Sequence, residues 1–160
     1  MPKNSLFYQI ETHSILTNLL FEPYNFKIKS TPEGLCVWDI VRKKYLLITP
    51  EEKVRQTILH YLVFTQKIGV SLLAVERNLN KKDAHRFDIV LFDRRGKPLL
   101  LVECKAPTEN IGIDTLLQSA HYNTYLHSPF IWLTNGAINF VFQQNDQTPL
   151  AEMPNFLAYL

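Results

Sequence analysis

The residues best suited to chemistry in this sequence are two acids and a lysine, Asp88, Glu103 and Lys105. Asp88 begins one apolar run and Glu103 ends another, and the turn-like segment 94–98 joins the two runs. A hairpin closed symmetrically about Arg95-Gly96 places Asp88 directly opposite Glu103, where two like charges destabilise each other. A divalent cation between the carboxylates would convert this repulsion into coordination, and oxygen ligands favour Mg²⁺ or Mn²⁺. With Lys105 beside the ion, such a set could hydrolyse a phosphodiester bond.

The strands that carry these residues are predicted to be buried. Side chains alternate along a strand, so Glu103 and Lys105 share a face with Asp88. The runs 89–92 and 99–102 are apolar on both faces, as in strands in the middle of a sheet. A plainer interpretation stays open, in which Asp88 pairs with Lys105 near a sheet edge and Glu103 is solvated.

A helix must precede this hairpin. Thr49 fits an N-cap, Pro50 the first helical position, and Glu52 the third residue of a capping box, which by itself accounts for Glu52. Apolar residues then recur at helical spacing, and Gly69 is expected to end the helix. Three strands are predicted next, over 70–76, 87–93 and 99–105.

A second helix and two more strands complete the pattern. The second helix is predicted over 113–127, and strands over 130–134 and 137–142 are separated by the turn Asn135-Gly136. The order favours an α/β domain with a mixed β-sheet flanked by helices. The expected core residues of the second helix are Leu116, Leu117, Ala120 and Leu126.

The first part of the chain is expected to form an extension. Strands over 36–41 and 45–49 suggest an N-terminal β-hairpin with a charged tip, Arg42-Lys43-Lys44, after a loop over 30–34. The resulting division is an extension (1–49), a core (50–145) and a tail (146–160) that packs on the core or on a partner.

Several motifs together resemble a known family. Asp88, the hairpin and Glu103-Cys-Lys105-Ala-Pro107 resemble the D…ExK core of the PD-(D/E)XK nuclease superfamily. More narrowly, residues 37–140 are similar to the nuclease-like domain at the amino terminus of type I restriction enzyme R subunits. The matching segments are Leu47 to Arg55, Val75-Glu76, Arg86 to Val90, Val102 to Pro107, Gln118 to Tyr122 and Thr134 to Gly136.

The resemblance implies a fold and a set of roles. The fold is a restriction-endonuclease-like mixed sheet, the activity is DNA hydrolysis, and the cofactor is Mg²⁺ or Mn²⁺. Asp88 and Glu103 would be metal ligands and Lys105 the catalytic lysine. Gln118 and Tyr122 match the Gln-x-x-x-Tyr helix of RecB-like nucleases. Phe87 stands where a proline often precedes the first acid, and without an ATP-binding loop no ATPase motor is expected.

Other residues are weaker candidates, each with a structural alternative. Glu76 could add a metal contact and Glu52 could support the site from its helix. A basic group, Lys81, Lys82 and Arg86, is expected to bind the DNA backbone. Gln118 could instead be a solvated flank, and Tyr122 could pack in the core with Tyr125.

Composition excludes several classes of protein. The sequence has 17 basic and 15 acidic residues, and this balance excludes a histone-like protein that coats nucleic acid. Two cysteines 68 residues apart make neither a disulfide framework nor a zinc cluster. With no signal peptide or membrane span in the sequence, a cytoplasmic location and no membrane partner are expected. A second hypothesis is a non-catalytic nucleic-acid-binding or assembly module, and further partners would be a homodimer mate or other restriction or repair subunits.

Overall fold

The computed structural model describes residues 24–76, 86–144, 146 and 148–160. The first sheet is antiparallel and contains β1 (Ile28–Thr31), β2 (Gly34–Asp39) and β3 (Lys44–Leu47). The second sheet is mixed, in the order β4 (Leu73–Val75), β5 (Ile89–Phe92), β6 (Pro98–Cys104), β7 (Phe130–Thr134) and β8 (Asn139–Gln143). β6 and β7 run parallel and the other neighbouring strands are antiparallel. The predicted α/β architecture is therefore confirmed.

The N-terminal sheet has one more strand than the predicted hairpin. β1 pairs with β2 from Thr31 and Gly34 outwards, so Ser30 and Thr31 lie in a strand and not in a loop. The turn needs only Pro32 and Glu33, because Gly34 takes a φ of +134° that side chains disfavour. A two-residue connection is short enough for the preceding residues to pair.

The first helix, α1, spans Pro50–His60 and begins as predicted, because the Thr49 hydroxyl accepts the backbone N–H of Glu52 at 3.0 Å. It continues as a π-helical segment over Tyr61–Thr65. Gly69 was the wrong stop signal: its φ is −65°, whereas Lys67 takes the left-handed conformation with a φ of +61°. The Gln66 side chain bonds Pro154 O and Phe156 N, each at 2.9 Å, so tertiary contacts fix this end.

The second helix, α2, spans Ile113–Leu126 and presents a different face to the sheet from the one predicted. Leu117 is 61% exposed and Ala120 is also exposed, while Leu116 and Leu126 are only partly buried. The buried positions are Thr115, Ser119, Tyr122 and Asn123. Tyr122 packs with Phe87, Val90 and Leu101, not with the exposed Tyr125.

The two helices cover opposite faces of the mixed sheet. α1 packs with alternate strand residues such as Ile89, Leu100 and Val102, and α2 covers the intervening ones such as Val90 and Leu101. In the tail, Phe156 is fully buried, with its ring centroid 5.6 Å from that of Phe130. Within the described ranges no helix is long and apolar enough to cross a membrane.

Candidate active site

The β5–β6 hairpin brings Asp88 and Glu103 to the same edge of the sheet. Ile89 pairs with Val102 and Val90 with Leu101, so the register continues to Asp88 opposite Glu103. A bulge between Leu91 and Phe92 breaks the predicted symmetry, but only near the turn. Asp88 and Glu103 are 8% and 6% exposed, and the backbone N–H of Cys104 donates to Asp88 Oδ2 at 2.7 Å. Two carboxyl groups are thus buried side by side.

Glu103 and Lys105 form an ion pair on this edge. Lys105 Nζ donates to Glu103 Oε1 at 3.2 Å. Burial, followed by the charge of Asp88, raises the pKa of Glu103 to about 7, although Lys105 opposes the shift. Burial acts to lower the pKa of Lys105, but the Glu103 carboxylate outweighs it and raises that pKa. The alternative with a solvated Glu103 and an Asp88–Lys105 pair does not describe this site.

Asp88 has a different cationic partner, the buried guanidinium of Arg55 on α1. Arg55 Nη2 lies 2.6 Å from Asp88 Oδ1, and Nε donates to the same oxygen at 3.2 Å. The same guanidinium contacts Glu51, Glu52 and Glu76. The metal ion that the sequence predicted here stays a prediction, and within the described ranges no three His, Cys, Asp or Glu side chains are grouped to hold one. A protein side chain therefore supplies the positive charge beside Asp88.

Glu52 and Glu76 join the site through arginines. The carboxylate of Glu52 accepts from Arg42 Nη2 at 2.8 Å, from Gln56 at 2.9 Å and from Arg55. The capping box consequently explains only the Glu52 backbone, and its side chain belongs to the site. Glu76 directly follows β4, its N–H donates to Asp88 O at 3.1 Å, and its carboxylate pairs with Arg42 and Arg55.

Arg42 is a site residue that the sequence did not reveal. It was predicted to lie on a charged hairpin tip, and its side chain is only 12% exposed and turns inward from the β2–β3 turn. Asp39 Oδ2 accepts from Arg42 Nε at 2.7 Å, while Asp39 Oδ1 accepts the N–H groups of Val41 and Arg42. An aspartate closing an apolar strand three residues before an arginine was the available signal, because this spacing suits an Asx turn.

Residues 50–156 match a protein family described as type I restriction enzyme R protein N terminus. The match covers about two-thirds of the 160 residues and includes Arg55, Asp88, Glu103 and Lys105. The chain belongs to this family. No curated protein matches the chain.

The predicted Gln118 and Tyr122 lie on α2. Gln118 is exposed and its Nε2 donates to the Tyr122 hydroxyl at 3.2 Å. Tyr122 is 6% exposed and packs with Leu101, which lies on the same face of β6 as Glu103. Gln118 and Tyr122 are thus bonded to each other across one helical turn, with the Tyr122 ring in the core and the Gln118 amide facing solvent.

The structure describes only one residue of the predicted basic group, Arg86. Arg86 is exposed and precedes the Asp88 edge by two residues. Lys81 and Lys82 lie outside the described residues. Arg42 lies outside the range matched by the family, although it contacts two of the acids within that range.

Proposed function

We propose that this chain is a metal-dependent nuclease that hydrolyses phosphodiester bonds of DNA. The observation that carries the proposal is the burial of Asp88 and Glu103 side by side, with Lys105 bonded to Glu103. Membership of a family named for a restriction enzyme supports DNA as the substrate. No ATPase motor is included in the proposed activity.

The donor set suits a hard divalent ion. Among the described residues, eight ion pairs link six carboxylates to three cationic side chains, and we call this group the acidic cluster. Its acids are Asp39, Glu51, Glu52, Glu76, Asp88 and Glu103, and its cations are Arg42, Arg55 and Lys105, so acids outnumber cations. Asp88 and Glu103 would hold Mg²⁺ or Mn²⁺, which bind through one or two carboxylates, with Glu76 as an additional contact. When bound, the ion would polarise the phosphate and lower the pKa of water.

The protein's own side chains supply the remaining requirements. Lys105 places an ammonium group where negative charge develops on a phosphate oxygen. Arg55 acts on Asp88 as a positioning residue, since its two donated hydrogen bonds fix the orientation of the carboxylate. Gln118, together with Tyr122, offers an amide to DNA, and Arg86, Lys81 and Lys82 are proposed to bind phosphates without sequence preference.

The test is cleavage of supercoiled plasmid and of single-stranded DNA by the full chain with Mg²⁺ or Mn²⁺. We expect Lys105→Ala and Asp88→Asn to lower the rate about 100-fold or more. Lys105→Ala removes the ammonium group that would face the phosphate, and Asp88→Asn removes a charged ligand of the ion. Lys97→Ala, on the exposed β5–β6 turn, is the matched control and should retain activity. Equal cleavage by all variants, unaffected by EDTA, would remove the catalytic proposal.

A second candidate is a non-catalytic nucleic-acid-binding or assembly module, favoured by the observation that Arg55 already neutralises Asp88. Calorimetric titration with Mn²⁺ separates the two. Ion binding that Glu103→Ala abolishes supports the nuclease, whereas salt-sensitive DNA binding without ion binding supports the module. Sizing the chain alone and with other restriction or repair subunits tests the proposed homodimer and partner assemblies.

A further inference from the structure

The outer face of the N-terminal sheet carries a cluster of aromatic and basic side chains. Val37 packs on the α1 side and Asp39 accepts from Gln56 of α1 at 2.8 Å. Because side chains alternate, Trp38 points away from α1. Its cross-strand partner is Tyr45, with ring centroids 5.2 Å apart. We name the group Lys27, Lys29, Trp38 and Tyr45 the aromatic platform.

The two lysines of the platform come from β1 and the residue just before it. Lys27 Nζ lies 5.3 Å from the Trp38 ring centroid, and Lys29 Nζ lies 5.6 Å from that of Tyr45. Both lysines are exposed and both rings are partly exposed. Residues 24–49 contain five basic and two acidic residues, and one acid, Asp39, is buried and paired with Arg42. The platform is therefore positively charged.

We propose that the aromatic platform binds unpaired nucleotides of single-stranded DNA. Rings stack on the exposed face of any base, and ammonium groups beside them contact phosphates. A base stack is stronger than an exposed cation–π contact, so a base can displace each lysine from its ring toward the backbone. Duplex DNA hides its base faces, which excludes it as the preferred ligand. This binding differs from hydrolysis and needs no metal.

The platform lies next to the candidate active site along the chain. Trp38 and Tyr45 are the strand pair adjoining Asp39 and Lys44, which close the β2–β3 turn. Arg42 in that turn reaches Glu52 and Glu76. The platform and the acidic cluster are thus connected through the β2–β3 turn, with Trp38 and Asp39 on opposite faces of β2.

Intrinsic fluorescence of the full chain in EDTA tests the proposal independently of cleavage. The chain has two tryptophans, and Trp132 is fully buried, so quenching by a ligand reports Trp38. We expect oligo(dT) of about twelve nucleotides, within the site size of one such binding surface, to quench this signal and the same strand in a duplex to bind more weakly. The double variant Lys27→Gln/Lys29→Gln should weaken binding about tenfold and lower the salt dependence by about 0.7 per lost phosphate contact.

The matched control is Arg94→Gln/Lys97→Gln, which removes the same charge from the exposed β5–β6 turn. It should bind nearly as the parent does, while Tyr45→Leu should weaken binding without changing the charge. Absence of quenching in the parent chain, equal weakening in the control, or equal binding of duplex would overturn the proposal. Tighter binding of oligo(U) than of oligo(dT) would overturn the assignment to DNA.

Discussion

At the scale of the residue, Glu103 holds a proton at a pH where an ordinary glutamate has lost it. Its pKa rises from 4.5 to about 7 because of burial and then because of Asp88. The folded form therefore binds this proton more tightly than the unfolded chain does. The resulting stabilisation is fully present below about pH 4.5 and is lost as the pH rises through about 7.

The Glu103→Gln variant should consequently become more stable than the parent as the pH rises. Glutamine keeps the shape but cannot ionise, so the gain in free energy of unfolding should grow between about pH 5 and about pH 8, to about 3 kcal/mol at most. Urea unfolding in EDTA at several pH values measures it. A difference between the Glu103→Gln variant and the parent that stays constant with pH would show that Glu103 titrates normally.

The sequence was enough to predict that Asp88, Glu103 and Lys105 lie at one edge of the sheet, but not which arginines pair with the surrounding acids. The acids are linked by a short hairpin, whose alternation and register follow from local rules. Arg55 reaches Asp88 across 33 positions and Arg42 reaches Glu76 across 34. Nothing in local spacing says which of several arginines turns inward, because that choice depends on how α1 and the N-terminal sheet pack.

At the scale of the element, strands were easier to predict than helix faces. β5 and β6 are apolar on both faces, which is typical of strands in the middle of a sheet. The short turn between them fixes which residues pair. In α2, apolar residues occupy two stripes, one containing Leu117 and Ala120 and one containing Tyr122. Helical periodicity indicates that stripes exist but cannot say which one the sheet covers.

The observed orientation of α2 predicts very different costs for two truncations. Tyr122→Ala removes a buried ring packed on Phe87 and Leu101 and should lower the free energy of unfolding by about 3 to 5 kcal/mol. Leu117→Ala, on the exposed face, should change it by about 0.5 kcal/mol or less. Chemical denaturation of both variants measures the difference. A larger loss for Leu117→Ala would mean that its stripe faces the core.

At the scale of the whole molecule, the buried ion pairs join the N-terminal sheet to the mixed sheet. Arg42 comes from the β2–β3 turn and bonds Glu52 on α1 and Glu76 at the end of β4. Tyr24 and Phe26 add ring contacts to His60 of α1. Removing one side chain of a buried network leaves its partners desolvated and unpaired, so we expect such a variant to destabilise both sheets.

A double-mutant cycle between Arg42→Gln and Glu52→Gln measures this connection. We expect a coupling energy of about 1 to 3 kcal/mol in the free energy of unfolding, because the two side chains meet at 2.8 Å and are largely buried. The matched control uses the exposed neighbour of Arg42, and the cycle between Lys43→Gln and Glu52→Gln should give about 0.5 kcal/mol or less. Similar small couplings in both cycles would mean that the Arg42–Glu52 contact does not stabilise the packing of the N-terminal sheet on α1.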